Sequence, residues 1–212
     1  MSITPDFSRF KKEYEAGHNQ VIFAKLTSDL ETPVSIMLKL AGAKKNSFIL
    51  ESVTGGETRG RYSIIGMEPD LIWKCEGDKS FINSGNNEFT HVEGNPLSIF
   101  RNLLKRSSIS LPEDLPQASA GLFGYFGYDM VRHVEELPNI NPDKIGLPDG
   151  MFIRPSIIAV LDGVKGEVIL VSPVFYNQET SSNQAFKKAQ NKIDDEIFEL
   201  KKQIISNLSL GK

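Results

Sequence analysis

The stretch MFIRPSIIAVLDGVKGEVILVSPVF, residues 151–175, decides the fold class of this 212-residue chain. Its two halves, residues 151–162 and 167–175, are rich in Ile, Val and Phe, which favour strands. Between them lies GVKG, residues 163–166, whose glycines suit a turn. The stretch therefore predicts an antiparallel β-hairpin with a longer loop.

Upstream of the hairpin, the middle of the chain is also rich in short strand-like runs. Four such runs occupy residues 47–53, 60–66, 70–77 and 79–84, and clusters of Gly, Pro, Asp and Asn separate them. This pattern predicts consecutive strands. The run QVIFAKL, residues 20–26, predicts one more strand nearer the N-terminus.

Helices are predicted on both sides of this β-rich middle. One begins at Thr4, followed by Pro5, and a second begins at Thr32, because both positions have the chemistry of an N-cap and a first helical turn. Residues 95–108 predict an amphipathic helix. Its apolar face is expected to consist of Leu97, Phe100, Leu103 and Leu104.

The pattern changes again from about Ser182. Apolar residues then recur at steps of three and four, which predicts a helix of roughly five to seven turns. These residues are Phe186, Ala189, Ile193, Ile197, Leu200 and Ile204. The sum predicts an α+β fold with mostly antiparallel β-sheet, flanking helices and a C-terminal helix. We expect one domain over residues 1–180 and a helical segment over residues 181–212.

Composition excludes several classes of protein. A net charge of −3 and a pI near 5.7 argue against a nucleic-acid-binding surface. Lysine pairs beginning at positions 11, 44, 187 and 201 are expected to be solvated. Cys75, the single cysteine, rules out an intrachain disulfide and fits a reducing cytoplasm. No apolar run approaches the length of a membrane span, and the N-terminus lacks the apolar region of a signal peptide, so we expect a cytoplasmic protein.

Common catalytic and metal-binding motifs do not occur in the chain. The three histidines, His18, His91 and His133, lack metal-ligand spacing, and there is no phosphate-binding loop and no Ser or Cys nucleophile signature. Glycines instead step by three, at 121, 124 and 127, within residues 118–137, which predict a strand that turns helical near Asp129. Close backbone packing accounts for these glycines better than a ligand wall. We expect no catalytic residue and no metal site in this chain.

Residues 48–66, FILESVTGGETRGRYSIIG, place polar side chains at the end of a core-like strand. An amino acid needs a carboxylate for its ammonium and donors for its carboxylate, and Glu51, Ser52, Arg59 and Arg61 could supply both. Because strand side chains alternate, Glu51 and Ser52 should point to opposite faces unless a bulge intervenes. The alternative is internal pairing of Glu51 with Arg59 or Arg61, with Ser52 hydrogen-bonded to backbone.

Four segments together resemble the N-terminal region of the large subunit, component I, of anthranilate synthase. They are TPVSIMLKLAG (32–42), SFILESVTGGETRGRYSIIGMEPDLIWKCEG (47–77), AGLFGYFGYDMVRHVEELP (120–138) and GLPDGMFIRPSIIAVLDGVKGEVILV (146–171). Their order and spacing match that family across nearly the whole chain. The resemblance is specific because no single loose motif carries it.

The resemblance implies a regulatory role. In that family the N-terminal region carries the feedback site for L-tryptophan, and the family's LLES element corresponds here to Leu50, Glu51 and Ser52, preceded by Ile49 in place of leucine. The family's RYS element corresponds to Arg61, Tyr62 and Ser63. The resemblance therefore implies an L-tryptophan site that includes these six residues, with Glu51 facing the ammonium group.

The resemblance also implies chemistry that this chain does not contain. The family's large subunit is a lyase that converts chorismate and ammonia to anthranilate and pyruvate with Mg²⁺, and a glutamine amidotransferase subunit, component II, supplies the ammonia. We expect the chorismate-binding catalytic domain to follow residue 212, so the chain is expected to be an inactive fragment that packs against that domain. The alternatives are the N-terminal domain of aminodeoxychorismate synthase component I, a stand-alone amino-acid-binding module, and a purely structural scaffold.

Overall fold

The computed structural model describes residues 2–28, 30–42, 44–51, 60–85, 88–138 and 143–202. Within these residues eight strands form one antiparallel sheet, with the central order β1-β8-β7-β3-β4-β5, while β2 pairs with β3 and β6 pairs with β7. The strands are β1 Gln20–Thr27, β2 Phe48–Leu50, β3 Tyr62–Glu76, β4 Lys79–Asn83, β5 Thr90–Val92, β6 Phe123–Phe126, β7 Gly150–Asp162 and β8 Glu167–Val174. The predicted α+β class is confirmed.

The predicted hairpin forms the centre of the sheet. β7 and β8 pair antiparallel from Asp162↔Glu167 to Ile158↔Val171. β7 also pairs with β3 along nearly the whole length of both strands. Most residues of β7 and β8 are buried, because helices cover one face of the sheet and a long connection covers the other.

The runs at 60–66 and 70–77 are one strand rather than two. β3 continues through Glu68 and Pro69, and the register against β7 shifts between Pro69 and Leu71. Glu68 has a positive φ of 50°, a conformation that residues other than glycine seldom adopt. A β-bulge accommodates a proline inside a paired strand, so the break that the sequence suggests is an irregularity and not an end.

Four α-helices occur in the described residues: α1 Phe7–Glu15, α2 Pro33–Ala41, α3 Pro96–Arg106 and α4 Ser182–Leu200. The predicted start of α2 at Thr32 is confirmed by a capping box with Ser35. The predicted start of α1 is wrong by two residues, because Asp6 accepts the capping hydrogen bond from Arg9 while Thr4 pairs with Phe23 of β1. The helical turn predicted near Asp129 is a 3₁₀ helix, Tyr128–His133.

Two hydrophobic cores lie on opposite faces of the sheet. Helices α1, α2 and α4 cover one face, with Phe10, Ile36 and Ile193 buried against Ile65 and Ile157. Residues 109–123 cover the other face. Burial of apolar surface on both sides is the dominant stabilising contribution to such a layered fold. Of the helices that the structure describes, none combines the length and apolar character that a membrane crossing requires.

A third cluster lies under α3. Phe100 and Leu103 pack against Trp73, Cys75 and Met130, which are all buried. Leu104, which the periodicity places on the same face, is 46% exposed, so that part of the prediction is wrong. The buried stripe of α3 is therefore narrower than the sequence pattern suggests.

Glycines in and directly after β6 allow close approach to β7 and to the residue before it. A Cβ atom at Gly124 would lie 1.9 Å from the carbonyl oxygen of Met151, and one at Gly127 would lie 2.9 Å from that of Asp149. No side chain fits at Gly124 unless the backbone moves. The interpretation of this segment as a tightly packed crossing is thus supported by its geometry.

Candidate functional site

The residues singled out in the sequence lie where β2 ends and β3 begins. Leu50, the last residue of β2, pairs with Ile64 of β3, and Ile49 pairs with Ile65. Ile49 packs against the helix-covered core, whereas Leu50 is 51% exposed, so the side chains alternate as expected. Glu51 follows directly and is exposed. Residues 52–59, including Ser52 and Arg59, lie outside the described residues.

Arg61 is held by a carboxylate that the sequence analysis did not single out. Its Nε donates to Oδ1 of Asp162 at 2.9 Å, and its Nη2 donates to Oδ2 at 2.6 Å. Its guanidinium also lies over the ring of Tyr62, at 4.9 Å from the ring centroid. The alternative pairing of Glu51 with Arg61 is not present: Asp162, at the turn of the central hairpin, holds the guanidinium instead.

Asp162 is buried and strongly hydrogen-bonded. Besides Arg61, the backbone N–H groups of Val164 and Lys165 donate to its Oδ1 at 3.1 Å. Hydrogen bonds from Arg61 lower the pKa of Asp162, against the opposing effect of burial. The carboxylate therefore stays ionised and fixes the hairpin loop to the start of β3. A sequence signal existed in LDGVKG, since Asp is favoured at the first position of turns.

The remaining predicted site residues divide between the two faces of the sheet. Ser63 is buried and pairs with Leu161 of β7. Tyr62 is half-buried and packs against the core on the other face. Strand alternation therefore separates Ser63 from Tyr62, as it separates Ile49 from Leu50. Glu51, Arg61 and Ser63 are brought to one end of the β2–β3 pair.

A cluster of four charged residues lies at the bulge of β3, between the sheet and α4. Lys44 Nζ lies 2.6 Å from Oε1 of Glu196 and 2.9 Å from Oε1 of Glu68. Lys192 Nζ lies 3.7 Å from Oε2 of Glu68 and donates a hydrogen bond to Ser156 Oγ. These residues are far apart in sequence, so their pairing could not be predicted. The expectation that Lys44 is solvated is wrong, because its ammonium is paired with Glu196 and Glu68.

Burial sets the protonation behaviour of this charged cluster. Burial raises the pKa of Glu196, which is 4% exposed and whose Oε2 has no hydrogen-bond partner among the described residues. Burial also acts to lower the pKa of Lys44, but hydrogen bonds to Glu196 and Glu68 outweigh it and leave that pKa raised. The ammonium of Lys44 therefore remains charged between the two carboxyl groups.

Cys75 has the environment of a structural thiol. It is fully buried, and its Sγ lies 3.2 Å from the carbonyl oxygen of Gly77 and 3.6 Å from Nε2 of His133. Burial raises the pKa of this thiol to about 11, so very little thiolate forms at neutral pH. In the part of the chain that the structure describes, no three His, Cys, Asp or Glu side chains group in a way that could hold a metal ion.

Comparison with known proteins finds relatives that are named anthranilate synthase component 1. No protein-family model matches the chain. The chain is 52% identical over 198 residues to anthranilate synthase component 1 of Cereibacter sphaeroides, an alignment that covers 92% of this chain and 40% of that protein. It is 38% identical over 151 residues to the protein of that name from Acetivibrio thermocellus, with 71% of this chain and 30% of that protein covered. It is 34% identical over 195 residues to the protein of that name from Pseudomonas putida, with 89% of this chain and 38% of that protein covered.

A solved structure agrees with these relatives. The crystal structure of anthranilate synthase component I from Streptococcus pneumoniae superimposes with a TM-score of 0.53 at 25% identity, covering 80% of this chain and 35% of that chain. The chain thus spans no more than about two fifths of the length of these proteins. Nearly the whole chain corresponds to the N-terminal region of anthranilate synthase component 1.

Proposed function

We propose that this chain is the regulatory region of an anthranilate synthase component 1 and carries part of its L-tryptophan feedback site. The observation that carries the proposal is the 52% identity to the Cereibacter sphaeroides protein over 92% of the chain. The longer protein would convert chorismate and ammonia to anthranilate and pyruvate in the cytoplasm. Its catalytic domain would bind Mg²⁺, and a glutamine amidotransferase subunit, component II, would supply the ammonia.

The end of the β2–β3 pair offers suitable chemistry for an amino acid. Glu51 presents an exposed carboxylate that can accept hydrogen bonds from the ammonium group of L-tryptophan. Arg61 has five N–H donors, of which Asp162 engages two, the one on Nε and one of those on Nη2, and its side chain is 28% exposed. The remaining donors are available to the ligand's carboxylate, and Asp162 acts as the positioning residue for the guanidinium. Leu50, Ser52, Tyr62 and Ser63 belong to the proposed site by resemblance. Among them, Ser63 lies on the helix-covered face of the sheet, whereas Leu50 and Tyr62 lie on the other face, so Glu51, Arg61 and Ser63 form the centre of the proposal.

Feedback follows if L-tryptophan binds the low-activity arrangement of the longer protein more tightly than the active one. The coupling free energy of such regulation is typically about 1–3 kcal/mol. This region contributes the binding of the effector, while chemistry takes place in the catalytic domain. The chain alone is therefore proposed to be catalytically inactive.

Calorimetric titration of L-tryptophan into the 212-residue chain tests the proposal, with chorismate as the control ligand. We expect saturable heat with L-tryptophan and none with chorismate. Glu51→Gln should weaken L-tryptophan binding at least about tenfold, because a neutral amide loses the charge-assisted contact to the ammonium, worth about 1.5–3 kcal/mol. The control is Glu93, an exposed carboxylate beside the edge strand β5. Glu93→Gln should leave L-tryptophan binding unchanged.

Two outcomes would contradict the proposed site. Equal loss in Glu51→Gln and Glu93→Gln would show that the effect is general electrostatics and not recognition at β2. Absence of heat, both with the chain alone and with the catalytic domain added in trans, would leave the chain a structural scaffold for that domain.

A further inference from the structure

A cavity lies well away from the proposed L-tryptophan site. It is a groove of about 820 Å³ between α4, the end of β8 and the bulge of β3. Arg154 lines it, and about 26 Å of strand β7 separates that residue from Asp162, the partner of Arg61. The groove is therefore a separate feature of the fold.

The groove carries an excess of positive charge. Three cations line it: Arg154 of β7 and Lys188 and Lys192 of α4. Its two lining carboxylates are Asp70 and Glu179. Asp70 is already engaged by Arg154 through hydrogen bonds of 2.7 and 3.0 Å, and Glu179 lies exposed on the loop before α4.

The positive charges of Lys188 and Lys192 repel each other, and a bound anion would relieve this repulsion. They lie one helical turn apart and line the same groove, and like charges at this spacing destabilise a helix. Lys188 forms no ion pair within the described residues. Lys192 donates to Ser156 Oγ, and its nearest carboxylate oxygen, Oε2 of Glu68, is 3.7 Å away, while Lys44 binds Oε1 of the same side chain.

Burial also disfavours the charged form of Lys192. Burial lowers the pKa of Lys192 and outweighs the opposing charges of Glu68 and Asp70, while the nearby charge of Lys188 acts in the same direction as burial. The charge of an anion seated between the two ammonium groups would oppose both effects and favour the charged form of Lys192.

Apolar side chains lie directly beside the two lysines. Ala185 and Ala189 of α4 face the groove together with Leu71 and Val174 of the sheet. Ser172, also lining the groove, adds a hydroxyl. A ligand that matches this surface has a negatively charged head and a compact apolar body.

We infer that this groove binds a small organic carboxylate, with Lys188 and Lys192 holding the carboxylate and Ala185 and Ala189 contacting its apolar body. The site is independent of the proposed L-tryptophan site. An inorganic anion would satisfy only the lysines, and a neutral molecule of the same shape would satisfy only the apolar surface.

An NMR titration of the 212-residue chain with labelled alanine methyl groups tests this assignment. The probe is benzoate, with benzamide as its neutral isostere and inorganic phosphate as an anion without an apolar body. We expect benzoate to shift the Ala185 and Ala189 methyl signals saturably, and benzamide and phosphate to bind at least about tenfold more weakly. Absence of saturable shifts with benzoate, or equal binding of benzamide or phosphate, would overturn the inference.

Variants of α4 locate the binding groups. Lys188→Gln should weaken benzoate binding about tenfold or more, whereas Lys187→Gln, an exposed neighbour that does not line the groove, should not. Since Lys188 is exposed, its replacement should leave the fold intact, which thermal unfolding checks. Equal effects of the two substitutions would overturn the inference. Glu51→Gln should leave benzoate affinity unchanged, and loss of affinity there would also overturn the independence of the two sites.

Discussion

The pairing of Arg61 with Asp162 shows how one contact links two functions. Asp162 accepts hydrogen bonds from the hairpin loop and from Arg61, so it stabilises the sheet and also orients a guanidinium of the proposed ligand site. Removal of Asp162 should therefore affect both stability and binding. Ligand affinity at this end of the sheet depends on a residue that need not touch the ligand.

Asp162→Ala should lower the free energy of unfolding by about 1–3 kcal/mol, because Arg61 and two backbone N–H groups of the hairpin loop lose their shared, buried acceptor. Since the pKa of Asp162 is below its ordinary value of 3.8 in the folded protein, its stabilising contribution is present above that value and is lost as the pH falls through the folded pKa. Urea unfolding between pH 7 and pH 2 measures both effects. The variant should lose less stability on acidification than the parent.

Asp114→Ala is the matched control for this measurement. Asp114 pairs with Lys25 at 2.7 Å, but its side chain is 57% exposed. Exposed ion pairs contribute about 0–1 kcal/mol. Similar destabilisation by the two substitutions would contradict the structural role assigned to Asp162.

Among the elements, α4 is fixed to the sheet by charge as well as by apolar packing. Ile193 and Ile197 pack in the helix-covered core, while Glu196 and Lys192 join the cluster at the β3 bulge. At the bulge Glu68 has a positive φ, and its carboxylate lies between Lys44 and Lys192. The irregularity of β3 and the position of α4 are therefore connected.

Lys44→Met should lower the free energy of unfolding by about 1–3 kcal/mol, because it leaves the buried Glu196 carboxyl without its ionic partner. This loss of stability is smaller than for a fully buried ion pair, because the side chain of Lys44 is 32% exposed and solvent screens its charge. Lys45→Met, at the exposed neighbouring lysine, should change it by no more than about 0.5 kcal/mol. Chemical denaturation of the two variants checks the difference, and equal values would argue against a structural role for the cluster.

At the scale of the whole molecule, the chain is a layered unit with helices on one face of a sheet and residues 109–123 on the other. It corresponds to a part of proteins that are more than twice as long. We propose that this region binds L-tryptophan and that the reaction takes place in the catalytic domain of the longer protein. The groove beside α4 adds a second place where a small molecule could act on this unit.

The chain alone should form no anthranilate from chorismate, ammonium and Mg²⁺, as followed by the fluorescence of anthranilate. A full-length anthranilate synthase component 1 serves as the positive control in the same assay. Measurable turnover by the 212-residue chain would contradict the proposal that catalysis lies outside it. Formation of aminodeoxychorismate by the full-length parent would instead favour the folate enzyme.

Sequence patterns were sufficient for the central hairpin and for the start of α2, which depend on near neighbours. The β7–β8 hairpin follows from two β-branched runs and a glycine-containing turn, and α2 follows from the cap at Thr32. Leu104 was misplaced because helical periodicity cannot tell how wide a buried stripe will be. Pro69 suggested a strand break because the bulge that accommodates it depends on the pairing partner, β7.

The sequence by itself determined the α+β class, the main elements and the family relationship. Only the tertiary structure decided the partner of Arg61, the charged cluster around Lys44 and the groove beside α4. The physical reason is the range of the interactions: caps, turns and alternation act within a few residues, whereas Arg61–Asp162 and Lys44–Glu196 join residues 101 and 152 positions apart. Such long-range pairs exist only once the sheet and α4 have packed together.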